Sequence, residues 1–202
     1  MAGINRKFFF DFARLHLFGG SLTQKQVEGL LAILDYWESK HAGDDDRKLA
    51  YLLGTAYHET DKKMQPIHEY GSTAYFNRRY GPEGQNPGLA RSLGNTQVGD
   101  GARYAGRGFV QLTGRRNYAD WSTRLGQDLV GNPDLALDAA VATRILVEGS
   151  LLGTFTGRKL GRYFDGDLAD WRNARRVING LDRADLIAGH ARSFYAAISY
   201  TV

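Results

Sequence analysis

From residue 64 to about residue 108 the chain abandons the helical periodicity it carries on either side, and that interruption limits the folds open to it. Upstream, Phe8, Phe12 and Leu15 share one helical face. Val27, Leu30, Leu31, Leu34 and Trp37 make a second apolar stripe, and Leu49, Leu52, Leu53, Ala56 and Thr60 a third. Ser21 or Thr23 can cap the second stripe, because each is followed three residues later by a glutamine, Gln24 or Gln26, as in a capping box. The third stripe follows Gly43-Asp44-Asp45-Asp46, whose aspartates suit the positive end of a helix. Downstream, helices are expected over 117–125, roughly 134–152 and 184–198, the last with the stripe Ala184, Ile187, Ala191, Phe194 and Ile198.

The interrupting stretch is rich in turn chemistry: Pro66, Gly71, Gly81-Pro82, Asn86-Pro87-Gly88, Gly94-Asn95 and Gly99-Asp100-Gly101. It predicts loops and a small irregular β element. A long stretch of this kind inside a domain is functional or disordered, and its tyrosines and phenylalanines favour an ordered, functional one. The fold class is therefore α+β, mainly α, with a glycine- and aromatic-rich insertion facing a cleft. At 202 residues the chain suits one domain, undivided or split into two lobes by that cleft.

Cysteine is absent, so disulfides and thiolate metal sites are both excluded. The run Phe8-Phe9-Phe10 is broken by Asp11, Arg14 and His16 too soon for a signal-peptide core, and no apolar run approaches membrane-spanning length. Synthesis in the cytoplasm without a conventional signal, and no stable membrane insertion, are the expectations. Net charge is +4 and 19 of the 26 basic residues are arginine. Arginine forks suit carboxylates and phosphates, so an anionic polymer is a reasonable partner, although a solvated basic surface looks the same. Nucleic acid is not expected, because zinc-finger spacing, an RNA-binding aromatic signature and a P-loop are all missing.

On the third helix the apolar face centres near Leu49 and Ala56, and Glu59 projects from its edge while His58 points to the opposite side. A carboxylate there is partly desolvated, which suits a general acid. Taken alone, it reads more readily as a charged residue near a helix end. Glu69 follows in Pro66-Ile67-His68-Glu69-Tyr70-Gly71, and a helix end with a short loop can set residues ten apart across a cleft. Glycosidases need such a pair, one group protonating the leaving oxygen and the other activating water or attacking the sugar. Glu83, Asp61 and Asp100 remain alternatives for the second carboxylate. A metal is not expected, because the helix reads His-Glu-Thr-Asp-Lys and lacks the second histidine of a zincin. No cofactor is expected either.

Residues 101–118 carry the densest signal. Gly106 and Gly108 allow tight turns or close approach to a ligand. Phe109 to Leu112 alternates as a short strand, with Phe109 and Gln111 on one face and Val110 and Leu112 on the other. Thr113 and Asn117 sit where the chain turns into a helix, Thr113 as a cap, a water holder or both. Gln111, Thr113 and Asn117 supply small polar groups that can orient water or sugar hydroxyls.

These residues resemble glycoside hydrolase family 19, especially its bacteriophage and prophage endolysin-like branch. The resemblance runs through Tyr57-His58-Glu59-Thr60, Glu69-Tyr70-Gly71, Gly99-Asp100-Gly101, Gly106-Arg107-Gly108-Phe109-Val110-Gln111-Leu112-Thr113-Gly114, Asn117-Tyr118, Gly131-Asn132-Pro133 and Ile178-Asn179-Gly180. It implies one lysozyme-like, two-lobed catalytic domain over 1–202, with N-terminal helices in 1–44 and the family-like core in 45–198. It also implies inversion at the anomeric carbon. Glu59 looks like the general acid, Glu69 like the base and Thr113 like the hydroxyl that holds the attacking water. Gln111, Asn117, Tyr118, Asn179 and Tyr70 look like sugar-binding or water-orienting groups, and Arg183 like an arginine steadying the acidic network. The plant enzymes carry a longer segment between the two glutamates and several disulfides, both absent here.

The expected function is cleavage of the β-1,4 glycan of peptidoglycan by a monomeric, endolysin-like enzyme that reaches the cell wall after release from the cytoplasm by a holin-type or lysis-dependent route. Chitin is the alternative substrate. A non-catalytic carbohydrate-binding protein and a metal-dependent amidase are the competing classes.

Overall fold

The first helices start where side chains satisfy free backbone donors. α1 (Arg6–His16) begins after Asn5, whose side chain accepts from the Phe8 N–H. α2 (Gln24–His41) begins after Thr23, which forms the full capping box with Gln26. α3 (Asp46–Glu59) begins after Asp45, which accepts from the Arg47 N–H. Each such cap contributes about 1 kcal/mol. The computed structural model describes residues 3–199. Beyond α3 come β1 (Ile67–His68), α4 (Thr73–Tyr80), α5 (Pro87–Leu93), α6 (Asp100–Arg103), β2 (Arg107–Gly108), α7 (Arg115–Leu125), α8 (Ala139–Leu152), β3 (Phe164–Asp165), β4 (Leu168–Ala169) and α9 (Ala184–Ile198). The fold is α+β and mainly helical. None of the described helices is long and apolar enough to cross a membrane.

The chain divides into two compact units, one made by residues up to Gln65 together with those from Thr143 onward, the other by Pro66–Ala142. The first unit is organised by α3 packed along α9. A Cβ on Gly54 would lie 2.7 Å from the Ala191 nitrogen, so only glycine lets the two backbones approach this closely. Leu49 to Tyr57 are buried throughout, and every member of the stripe expected on α9 is buried. On α1 the buried residues are Phe9 and Ala13, with Phe9 stacked on Phe194 at 6.2 Å. The Phe8, Phe12 and Leu15 face is therefore the outer one, and Leu15 is 59% exposed.

The second unit corrects the reading of residues 64–108 as loops. Ser72 caps α4 through the Tyr75 N–H, and Asn86 caps α5 through the Leu89 N–H with proline in the first turn. These helices are too short to show a stripe. Their stability comes from packing, with Phe76, Tyr80 and Ala105 buried together and Leu89, Leu93 and Ala102 around them. The expected β element exists as an antiparallel pair, Ile67 opposite Gly108 and His68 opposite Arg107. The strand expected over 109–112 does not form. Gln111 takes a left-handed backbone (φ 55°) and Leu112 returns to bridge Arg107, so Phe109, Val110 and Leu112 are all buried around a tight turn. The helix expected over 134–152 is broken at Asp138. That residue is extended after a 3₁₀ turn (Pro133–Leu137), and its carboxylate accepts from the Ala140 and Val141 N–H groups to start α8.

Candidate active site

Glu59 is the last residue of α3 in the first unit, and one arginine holds it. Arg175 Nη1 donates to Glu59 Oε1 at 2.6 Å, with the arginine side chain 4% and the glutamate 19% exposed. A buried guanidinium left unpaired would be costly, so this contact orients the carboxylate strongly. Arg175 sits on a 3₁₀ turn (Asn173–Val177) and is itself anchored. Its Nε donates to the Asp182 carbonyl at 3.1 Å, and its carbonyl accepts from the Ile178 and Asn179 N–H groups. The Ile178-Asn179-Gly180 motif, the arginine and the glutamate thus form one connected structure. Glu59 Oε2 has no hydrogen bond to the described residues.

The turn after Glu59 is held by Thr60, which is fully buried. Its hydroxyl donates to the Ala56 carbonyl at 2.7 Å and accepts from the Met64 N–H at 3.0 Å. Asp61, Lys62 and Met64 all take left-handed conformations, at φ 49°, 63° and 51°, which non-glycine residues rarely adopt. His58 is half-buried, and burial pushes its pKa down despite the opposing charge of Glu59.

In the second unit Glu69 follows directly on β1, where its own N–H donates to the Gly106 carbonyl at 2.8 Å. Both carboxylate oxygens are engaged. Oε1 accepts from the Tyr80 hydroxyl at 2.9 Å, and Oε2 from the Gly106 N–H at 3.2 Å. Burial, and then the bond to Glu69, push the Tyr80 hydroxyl pKa well above its ordinary value, so Tyr80 remains a donor. A Cβ on Gly106 would lie 2.8 Å from Gln111 Oε1 and 3.1 Å from Glu69 Oε2, so the glycine brings both side chains against the backbone.

Gln111, Thr113 and Asn117 belong to the same unit and are linked to one another. Gln111 Nε2 donates to the Ile67 and Gly108 carbonyls at 3.2 Å each. The Thr113 hydroxyl donates to the Gln111 carbonyl at 2.8 Å, and Asn117 Nδ2 to the Thr113 carbonyl at 2.7 Å. Thr113 is not the helix cap. That position is Gly114, which has no side chain to offer. Its hydroxyl secures the left-handed turn at Gln111 and retains lone pairs for water.

Other expected residues fall elsewhere. Tyr118 is fully buried, with its hydroxyl donating to the Ala105 carbonyl and accepting from Arg107, so its part is structural and no ring face is left for a sugar. Tyr70 is 69% exposed beside Glu69. In the first unit Asn179 is exposed, with its Oδ1 turned to the Gly180 N–H. Arg183 takes the left-handed position before α9 and makes no ion pair with a described carboxylate; the arginine that steadies Glu59 is Arg175. Among the alternative carboxylates, Asp61 and Glu83 are exposed. Asp100 is only 2% exposed and committed. It accepts from Arg115 Nε at 2.9 Å and Nη2 at 2.6 Å, and from the Thr96 and Gln97 N–H groups. Burial pushes its carboxyl up, but these donors outweigh it and hold the group below its ordinary value.

Arg175 and Tyr80 were not singled out from the sequence. The signals were slight: Arg175-Arg176 immediately precedes the Ile178-Asn179-Gly180 motif, and Tyr80 lies four residues after Phe76.

The sequence and the fold are similar to those of known proteins. The glycoside hydrolase family 19 model, chitinase class I, matches residues 35–147. The acidic endochitinase of Petunia hybrida is 37% identical over 100 residues, 47% of this chain and 38% of that one. A glycosyl hydrolase family 19 domain-containing protein of Haemophilus influenzae is 44% identical over 59 residues, 26% of this chain and 30% of that one. The acidic endochitinase Q of Nicotiana tabacum is 50% identical over 46 residues, 22% and 18% of the respective chains. The chain thus spans well under half the length of these relatives. Among solved structures, chitinase C from Streptomyces griseus HUT6037 has the same fold, with a TM-score of 0.60 and 18% identity over 98% of this chain and 77% of that one.

Proposed function

The chain belongs to glycoside hydrolase family 19, and from that premise we propose that it is an inverting hydrolase of β-1,4-linked glycans of the chitin type. One observation carries the reading. The stretch matched to the class I chitinases contains both glutamates, and each is oriented by donors from its own unit, Arg175 for Glu59 and Tyr80 with the Gly106 N–H for Glu69. Glu59 acts as the general acid, as the family resemblance implies, with Arg175 on Oε1 and Oε2 left to carry the proton to the leaving-group oxygen. Glu69 acts as the general base toward water. Thr113 steadies that water through the lone pairs its bond to Gln111 leaves available. Gln111, Asn117, Asn179 and Tyr70 contact the sugars.

The named relatives favour chitin and reverse the order in which the sequence placed the two substrates. Peptidoglycan remains the second reading, supported by the net charge of +4 and the absence of cysteine, with an endolysin-like role attached to it. The test is digestion of chitin oligomers and of purified peptidoglycan in parallel, with products identified by mass spectrometry. Shortened chitin oligomers with new reducing ends are expected. Turnover of peptidoglycan alone would make the second reading the function. Free stem peptides without new reducing ends, or no products from either polymer, would refute a glycosidase.

A further inference from the structure

The unit that holds Glu59 contains a cavity of about 610 Å³ whose lining includes neither Glu59 nor Arg175. Its carboxylates are already committed. Asp44 pairs with Lys48 at 2.5 Å. Glu148 meets His41 Nε2 at 2.8 Å and accepts from the Tyr36 hydroxyl at 2.9 Å. The remaining cations at this cavity, Arg158, Lys159 and Arg162, are exposed, and among the described residues none of them has a carboxylate partner. Gly157 and Gly161 lie between and beside them, and neither has a heavy atom within 4 Å of where a Cβ would be, so the main chain there is open to a ligand.

Three like charges gathered within five residues repel one another, and an anion seated among them removes that cost. We propose that this cavity binds a phosphate group, as a monoester or diester. A carboxylate carries one charge and two oxygens and satisfies one arginine fork. A phosphate monoester offers three terminal oxygens and up to two charges, which suits two forks and an ammonium together, and an array of diesters offers one charge and two free oxygens at every repeat, so that neighbouring cations engage successive groups. The inference does not depend on which glycan the enzyme cleaves. Phosphate could be presented by a glycerol-phosphate polymer of a cell wall or by a lipid headgroup, and the chemistry recognised is the same.

The test compares wild type with the combined variant Arg158→Gln, Lys159→Gln, Arg162→Gln by isothermal titration with inorganic phosphate. These side chains are exposed and none belongs to the machinery assigned to Glu59 or Glu69. Circular dichroism and turnover of uncharged chitin oligomers are therefore expected to be unchanged. Each charge-assisted bond lost is worth roughly tenfold in affinity, so the variant is expected to bind phosphate at least about tenfold more weakly. Equal affinity in the two proteins, or no saturable binding to wild type, would overturn the proposal. Titrations with a glycerol-phosphate polymer and with phosphatidylglycerol vesicles then identify the source. Weaker binding of either by the variant supports the site, and the one bound more tightly by wild type is the natural presentation.

Discussion

Replacing Gly106 with alanine is expected to disable turnover while leaving the fold in place. The added Cβ would lie 2.8 Å from Gln111 Oε1, 3.1 Å from Glu69 Oε2 and 3.2 Å from Gln111 Cβ. Comfortable non-bonded contacts are about 3.5 Å or more, so both side-chain ends must retreat by roughly half an ångström. Two of the three contacts are the far ends of flexible side chains, the third at Gln111 Cβ yields by a few tenths of an ångström, and the Gly106 backbone is not left-handed, so the cost to stability is modest, about 1–3 kcal/mol. The catalytic cost is larger. The bond from the Gly106 N–H to Glu69 is already 3.2 Å long and does not survive the shift. A misplacement of about 1 Å costs roughly 10²-fold, so a loss of about 10- to 100-fold in kcat is expected, with KM little changed if Glu69 has the proposed role of acting on water. Initial rates on chitin oligomers, measured as new reducing ends alongside thermal melting, check this. An alanine variant that melts normally and keeps full kcat would refute the placement of Glu69 against Gly106 as part of catalysis.

Glu59→Gln keeps the shape and the Arg175 contact but cannot donate a proton, so it is expected to fold normally and lose about 10²–10⁴-fold in turnover; single-turnover assays on oligomers read this directly. Thr113→Ala loses the bond to the Gln111 carbonyl, worth about 1 kcal/mol, and is expected to fall in kcat as well, whereas Thr113→Ser keeps both. A threonine that only secured the turn would show the melting shift alone. Asp100 has a carboxyl held below its ordinary value of 3.8, so its stabilisation is complete above 3.8 and drains away as pH falls through the depressed folded value. Asp100→Asn is therefore expected to melt lower at neutral pH and to flatten the acid limb of the stability profile, as pH-dependent thermal melting would show.

Helices with long apolar stripes were legible because periodicity records burial on one face: α2 with its Thr23 capping box, α3 and α9 all stand where the stripes put them. α4 and α5 were not, because eight or seven residues cannot show a stripe and their caps lie among residues that also make turns. The alternation at 109–112 misled for a related reason. Phe109, Val110 and Leu112 are all buried by a turn whose left-handed residue is a glutamine, and nothing in an apolar–polar pattern announces that. Glu59 stood out because it projects from the edge of an apolar helix face, and Glu69 because it follows ten residues later in a turn-rich segment that resembles the family. Arg175 did not, since it lies 116 residues from Glu59 along the chain and only the packing of the first unit joins them. Tyr118 shows the opposite error, a motif residue whose aromatic ring belongs to the core.

The most direct test of the account is the anomeric configuration of the first product, followed by ¹H NMR during hydrolysis of a chitin oligomer by the wild-type enzyme. With Glu59 as acid and Glu69 activating water, attack comes from the face opposite the leaving group and the α-anomer is formed first, relaxing to the equilibrium mixture by mutarotation. A β-anomer as the first product would contradict that pairing, because retention requires a nucleophile other than water at the first step, either a carboxylate or the substrate's own acetamido group.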